Sequence, residues 1–257
     1  MEFRGDREDL ATGVRAVLER GCPGSKATLL GSLAAGSADV YSDIDVEWIV
    51  PDDRFAACLA QVGALLHLVH PVAEVRVDPD FLHSDRRRLL FVRFEQVPLF
   101  WRLDLSVRAQ SVADKADYDE GNPAARAREG EWSRPASALA NAIGAVKAAA
   151  RHRTGDAYGL VDRGFVRIGE ADSAIGTWAE DIKRLARVAV RREPQLATLA
   201  QRVAALADER LGHDPERSGW PVNGVVRLRR PPLGPRRARG RGLPHRSLKV
   251  TSFASSA

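Results

Sequence analysis

The sequence has little cysteine, no long apolar run and no acidic residue in its last 33 positions. Its two cysteines, Cys22 and Cys58, form no CxxC or other metal-ligand spacing. That argues against a cysteine metal site and a disulfide framework, and a reducing compartment is expected. The six histidines show no ligand spacing either. The most apolar stretch, VGALLHLVH, is short and broken by histidines, so no membrane segment is expected. The N-terminal MEFRGDREDLATG mixes both charges without an apolar stretch, so no secretory signal is expected and the protein reads as cytoplasmic. No internal repeat stands out.

The net charge of +5 divides unevenly. Residues 225–257 carry nine Lys or Arg and no acid, which leaves residues 1–224 with 30 basic against 34 acidic residues. The body is therefore mildly acidic and the basicity belongs to the tail. A basic pI here does not mark the body as a nucleic-acid binder, although the tail retains that option.

Apolar periodicity predicts a helix over 7–20, with Leu10, Val14, Val17 and Leu18 on one face. Short strands are expected at 26–31, 44–50 and 72–77, and a helix at 52–70 capped by Asp52 or Asp53. The runs 89–94 and 99–107, joined by EQVP, predict an antiparallel hairpin. Residues 116–133 are polar and turn-rich and read as a linker. Helical patterns follow at 134–153, 157–169, 174–192 and 195–211, and the Pro/Gly/Arg-rich end reads as disordered. The expected organisation is an α+β domain over 1–115, a linker over 116–133, a helical domain over 134–220 and a basic tail over 221–257.

Chemistry concentrates in GSLAAGSADVYSDID, residues 31–45. Asp43 and Asp45 alternate along an expected strand, so both carboxylates face one side. Their mutual repulsion is relieved by a divalent cation, and Mg²⁺ favours carboxylates together with phosphate oxygens. Gly31 lets the backbone approach a ligand closely, and Ser32 with nearby amides can hold phosphate. Asp104, in the apolar run FWRLDLSV, is a buried charge that a metal would explain. Glu47 has the same parity but lies deeper. Arg86–Arg88 read as a solvated loop, Ser37, Asp39 and Ser42 as turn formers, and Trp101, Trp132 and Trp178 as core or interface.

The Gly31-Ser32 turn, the Asp43-Ile44-Asp45 strand and Asp104 on a later strand together resemble the nucleotidyltransferase superfamily that includes DNA polymerase β. The spacer, including Tyr41-Ser42, is similar to that of bacterial streptomycin and spectinomycin adenylyltransferases, while Ala35 stands where many minimal members carry Arg. The resemblance implies a mixed sheet with flanking helices followed by a helical domain. It implies two Mg²⁺ ions on Asp43, Asp45 and Asp104, and an NTP with its β- and γ-phosphates on Ser32 and neighbouring amides. Nucleotidyl transfer follows from it, AMP from ATP being expected, onto a hydroxyl of a small acceptor. A cationic, aminoglycoside-like acceptor suits the acidic body. Lys147 is a candidate contact to the triphosphate or the acceptor. Modification of a protein, or a non-catalytic role using the Arg-rich tail, are the alternatives.

Overall fold

The computed structural model describes residues 6–170 and 177–211. The tail expected at 221–257 lies outside them, as do the first three residues of the segment expected at 174–192 and the last nine of the region expected to end at 220.

The chain opens with helix α1 (Arg7–Gly21), started by a reciprocal cap: the Asp6 carboxylate accepts from Asp9 N at 2.8 Å, and Asp9 accepts from Asp6 N at 3.3 Å. Leu10, Val14, Val17 and Leu18 are buried, the face expected from their spacing. Next come β1 (Lys26–Leu29), a single helical turn α2 (Gly31–Ala34), β2 (Ile44–Val50), α3 (Phe55–His67), β3 (Val72–Val77), β4 (Arg87–Phe94) and β5 (Leu103–Ala109). The strands form one mixed sheet in the order β1-β2-β5-β4-β3, with β2 and β5 parallel and the other pairs antiparallel.

Alternation along the two central strands makes the sheet two-sided. Ile44, Val46, Trp48 and Val50 of β2, with Leu103, Leu105 and Val107 of β5, are buried in one core with α1 and α3. Each such large side chain, once buried, contributes about 2–3 kcal/mol. Trp48 also satisfies its indole by donating to Ser25 Oγ at 2.9 Å. The intervening residues, Asp45 and Glu47 of β2 and Asp104 and Ser106 of β5, face the other way.

Four helices follow: α4 (Arg134–Ala150), α5 (Thr154–Arg167), α6 (Trp178–Arg192) and α7 (Ala197–Leu211). Ser133 caps α4 by accepting from Ala136 N at 2.9 Å. Their apolar faces close a second core around Val146, Phe165, Trp178, Ile182 and Leu185. The architecture is the α+β one expected, a mixed sheet followed by helices.

Several local expectations need correction. Leu99 and Phe100 do not begin a strand; they pack into the second core, and β5 starts at Leu103. Asp52–Arg54 is a 3-10 turn with no side-chain cap. Its Asp52 carboxylate instead accepts from Ser111 N at 3.0 Å and Arg86 Nη1 at 2.6 Å. Arg87 and Arg88 are not a solvated loop but the start of β4. Arg87 donates to the carbonyls of Ala116 and Tyr118, and Arg108 to those of Lys115 and Ala116, which ties the polar stretch to the sheet. Cys22 and Cys58, expected to be unpaired, form a disulfide with a Cα separation of 6.5 Å. The fold lays α1 beside α3, a neighbourhood that a separation of 36 residues does not reveal. The ground for expecting a reducing compartment goes with that correction. Among the described residues no helix is long and apolar enough to cross a membrane.

Candidate active site

The site is built where β1 turns over the start of β2. Leu30 N donates to Asp45 O at 2.9 Å, and the chain then bends at Gly31, whose φ of +61° lies in the left-handed region. A Cβ on Gly31 would collide with Asp45 Oδ2 and lie 3.2 Å from Asp45 Cγ. Only glycine lets the backbone lie this close to the carboxylate. The turn is closed by Ala35 N to Gly31 O at 3.1 Å and Ser37 N to Ser32 O at 2.9 Å, with Ser32 the second residue of α2. Asp43 immediately precedes β2, Asp45 is its second residue, and the parallel register sets Asp45 directly opposite Asp104.

Two cations meet these three carboxylates. Lys147 Nζ, from α4, donates to Asp43 Oδ1 at 2.8 Å. Arg102 grips Asp104 through both oxygens, Nε to Oδ1 at 2.5 Å and Nη2 to Oδ2 at 2.6 Å, and its Nη2 lies 4.0 Å from Asp43 Oδ2. Burial, then the charges of Asp43 and Asp104, push the Asp45 carboxyl up to about 6. Burial also raises Asp104, against the opposing pull of Arg102. For Arg102 itself burial acts downward, yet its ion pair with Asp104 and the nearby Asp43 and Asp45 carry it above the ordinary guanidinium value.

The loop from Ser37 to Asp43 is held from two sides. Arg151 of α4 donates to both Asp39 oxygens, at 2.9 and 2.5 Å, and holds that carboxyl well below the usual range. Arg7 of α1 donates to the carbonyls of Asp39 and Ser42 at 2.6 and 2.9 Å. Tyr41 packs edge-on against Phe100, ring centroids 5.3 Å apart. The sheet and the helices thus jointly fix the backbone that presents Asp43.

The fold gathers Gly31, Asp43, Asp45, Asp104 and Lys147 into one neighbourhood, with Ser32 in the adjoining turn. Reading the sequence missed Arg102, Arg151 and Arg7. Arg102 carries a usable signal, because it precedes Asp104 by two positions, the same spacing that aligns Asp43 with Asp45. Nothing local marks Arg7 or Arg151. The buried charge of Asp104, for which a metal was the expected explanation, already has a partner in Arg102.

Among the described residues no three Asp, Glu, His or Cys side chains are gathered tightly enough to hold a metal ion as they stand. Asp43 and Asp104 are turned onto Lys147 and Arg102. The donor chemistry nonetheless fits Mg²⁺: three carboxylates at adjoining strand ends, one of them raised by burial and by its like-charged neighbours, under a glycine turn that a Cβ would fill. Beside Arg102 a cleft of about 690 Å³ opens between the sheet and helices α4 and α5.

No family model matches the chain, and no curated protein matches it. Solved structures do. The Cid1 poly(U) polymerase is similar at 19% identity over 40% of this chain and 31% of its own, with a TM-score of 0.28. The polymerase core of TRAMP, an RNA surveillance complex, is similar at 10% identity over 80% of this chain and 56% of its own, with a TM-score of 0.32. A cytoplasmic RNA terminal U-transferase is similar at 15% identity over 58% of this chain and 40% of its own, with a TM-score of 0.31. The chain spans from just under a third to just over half of the length of these proteins. Likeness of this degree carries no argument about activity or acceptor, which rest on the residues themselves.

Proposed function

We propose that the chain is a metal-dependent nucleotidyltransferase of the polymerase-β-like kind, moving a nucleoside monophosphate, AMP from ATP, onto a hydroxyl of a small molecule. The observation that carries this reading is the direct pairing of Asp45 with Asp104 across two parallel strands, with Asp43 and the Gly31 turn beside them.

Each residue has a task in it. Asp43, Asp45 and Asp104 would hold Mg²⁺, which supplies charge stabilisation at the attacking and leaving oxygens. Ser32 and the amides of its turn bind the β- and γ-phosphates. The acceptor oxygen forms a bond to the α-phosphorus while the bond to the β-bridging oxygen breaks, and pyrophosphate leaves. The hydroxyl proton passes to Asp104 or to water. Lys147 and Arg102, paired with Asp43 and Asp104, would meet phosphate oxygens in a metal-bound site. A cationic acceptor, expected from the net charge of residues 1–224, finds no support in the adjoining cleft, which five arginines and two aspartates line.

The test is incubation with each labelled NTP, Mg²⁺ and a panel of hydroxyl-bearing acceptors, comparing the wild type with Asp45→Asn. Metal-dependent pyrophosphate release that disappears in the variant is expected. Release that persists in Asp45→Asn would sink the mechanism.

A further inference from the structure

The cleft beside Arg102, the partner of Asp104, has a defined place in the sheet. One cross-strand row runs Asp45, Asp104, Phe91, Arg76, over β2, β5, β4 and β3. The Gly31 turn lies at the β1 end of this row and Arg76 at the other end. A triphosphate held at Gly31 and Ser32 therefore leaves the β4–β3 side for a second substrate, with Asp45 and Asp104 between the two.

That second side carries two arginines without a carboxylate partner among the described residues, Arg76 and Arg167. Arg76 and Arg102 flank the Phe91 ring, each guanidinium carbon 4.7 Å from its centroid. Among the described residues Arg76 has no ion pair or hydrogen-bond acceptor; burial pulls it below the ordinary guanidinium value, opposed by the charges of Glu74 and Asp78 and helped by those of Arg102 and Arg167. Arg167, from α5, reaches the same cleft, donates to Ser137 Oγ and stands over the Trp132 ring at 5.3 Å, with no carboxylate within ion-pair distance among the described residues. The Asn141 Nδ2 lining the cleft is buried without a partner. Arg126 and Arg134, by contrast, are paired with Asp80 and Glu129. Guanidinium groups without a carboxylate and a buried unpaired amide are costly unless a ligand oxygen meets them, and phosphate meets several at once. The volume suits a ligand of nucleotide or sugar-phosphate size.

We propose that this cleft is the acceptor site and that it takes a phosphorylated small molecule, its phosphate on Arg76, Arg167 and Asn141 and its hydroxyl toward Asp104. This rests on the nucleotidyl-transfer reading above. Two strand spacings, about 10 Å, separate the backbone of Arg76 from that of Asp104. The Arg76 side chain reaches back over Phe91, so one sugar phosphate spans the remainder. The acceptor's own phosphate is unchanged by the reaction; only its hydroxyl oxygen gains the bond to the α-phosphorus.

Calorimetric titration of the full chain with ribose 5-phosphate and with ribose, without NTP, tests the site. Ribose 5-phosphate is expected to bind and ribose to bind at least about tenfold more weakly. Arg76→Gln and Asn141→Asp, each confirmed as folded by its melting curve, should weaken the phosphate by about tenfold or more, while Arg191→Gln, at an exposed position in the last turn of α6, leaves it unchanged. Equal binding of both sugars, or indifference to both cleft variants, would overturn the proposal. So would binding of a short oligoribonucleotide without ribose 5-phosphate, which makes the occupant RNA, or a loss confined to ATP, which makes the cleft the donor's. Phosphate binding without any transfer from labelled ATP would retain the cleft and reject the transferase. Transfer to ribose in preference to ribose 5-phosphate would do the reverse.

Discussion

Lys147 Nζ donates to Asp43 Oδ1 at 2.8 Å across 104 residues of sequence, joining the first long helix after the sheet to the carboxylates at the strand ends. Both side chains are only about a quarter exposed, so the pair is partly shielded from solvent.

A double-mutant cycle of Lys147→Met and Asp43→Asn in the metal-free protein should give a coupling of about 1 kcal/mol by urea denaturation. Lys147 also holds the Asp45 carboxyl down, so Lys147→Met should raise it further, read by NMR titration. Additive effects of the two substitutions would show that the ion pair contributes nothing.

Gly31 and Gly36 both have positive φ, +61° and +65°, but only Gly31 faces an obstacle. Gly36→Ala should cost about 1 kcal/mol from backbone conformation alone. Gly31→Ala should cost more, about 2–4 kcal/mol, because a Cβ meets the Asp45 carboxylate, and it should abolish transfer. Chemical denaturation of the two variants side by side checks the difference.

The raised Asp45 carboxyl sets a pH dependence. Between the ordinary value of 3.8 and about 6 the folded protein binds more protons than the unfolded chain. The contribution of Asp45 to the stability of the metal-free protein therefore falls as pH rises through that window. Asp45→Asn should remove this slope. Mg²⁺, which competes with the proton, should raise the melting temperature more at pH 7.5 than at pH 5. A metal effect independent of pH would contradict the shared carboxylate site.

The Cys22–Cys58 disulfide predicts that the purified, denatured protein titrates no free thiol. Replacing both cysteines by alanine should cost about 2–4 kcal/mol while leaving nucleotide binding intact, since both lie in the core on the far face of the sheet.

Part of the site is legible in the sequence. Ile44 to Val50 announces a half-buried strand by alternation, and the Asp43/Asp45 spacing follows from it. Asp104 stands out because its neighbours are apolar. What alternation cannot show is register: only the parallel pairing of β2 with β5 puts Asp45 opposite Asp104, and only the order of strands puts Arg76 on their row. The carboxylate partners of the cations, that of Lys147 among them, are hidden for the same reason. Arg102 has a local signal, whereas Lys147 and Arg151 reach Asp43 and Asp39 from a helix more than a hundred residues away. The net charge misleads about the cleft, because ligand recognition depends on which arginines lack partners and not on their total.

The central claim, that Asp43, Asp45 and Asp104 form one metal and nucleotide centre, is tested most directly by Mn²⁺ binding followed by electron paramagnetic resonance with a non-hydrolysable ATP analogue. The wild type should bind Mn²⁺ in a manner strengthened by the analogue, and Asp45→Asn and Asp104→Asn should each lose that binding by tenfold or more, about 1.4 kcal/mol or greater. Mn²⁺ bound equally well by both variants and the wild type would contradict it.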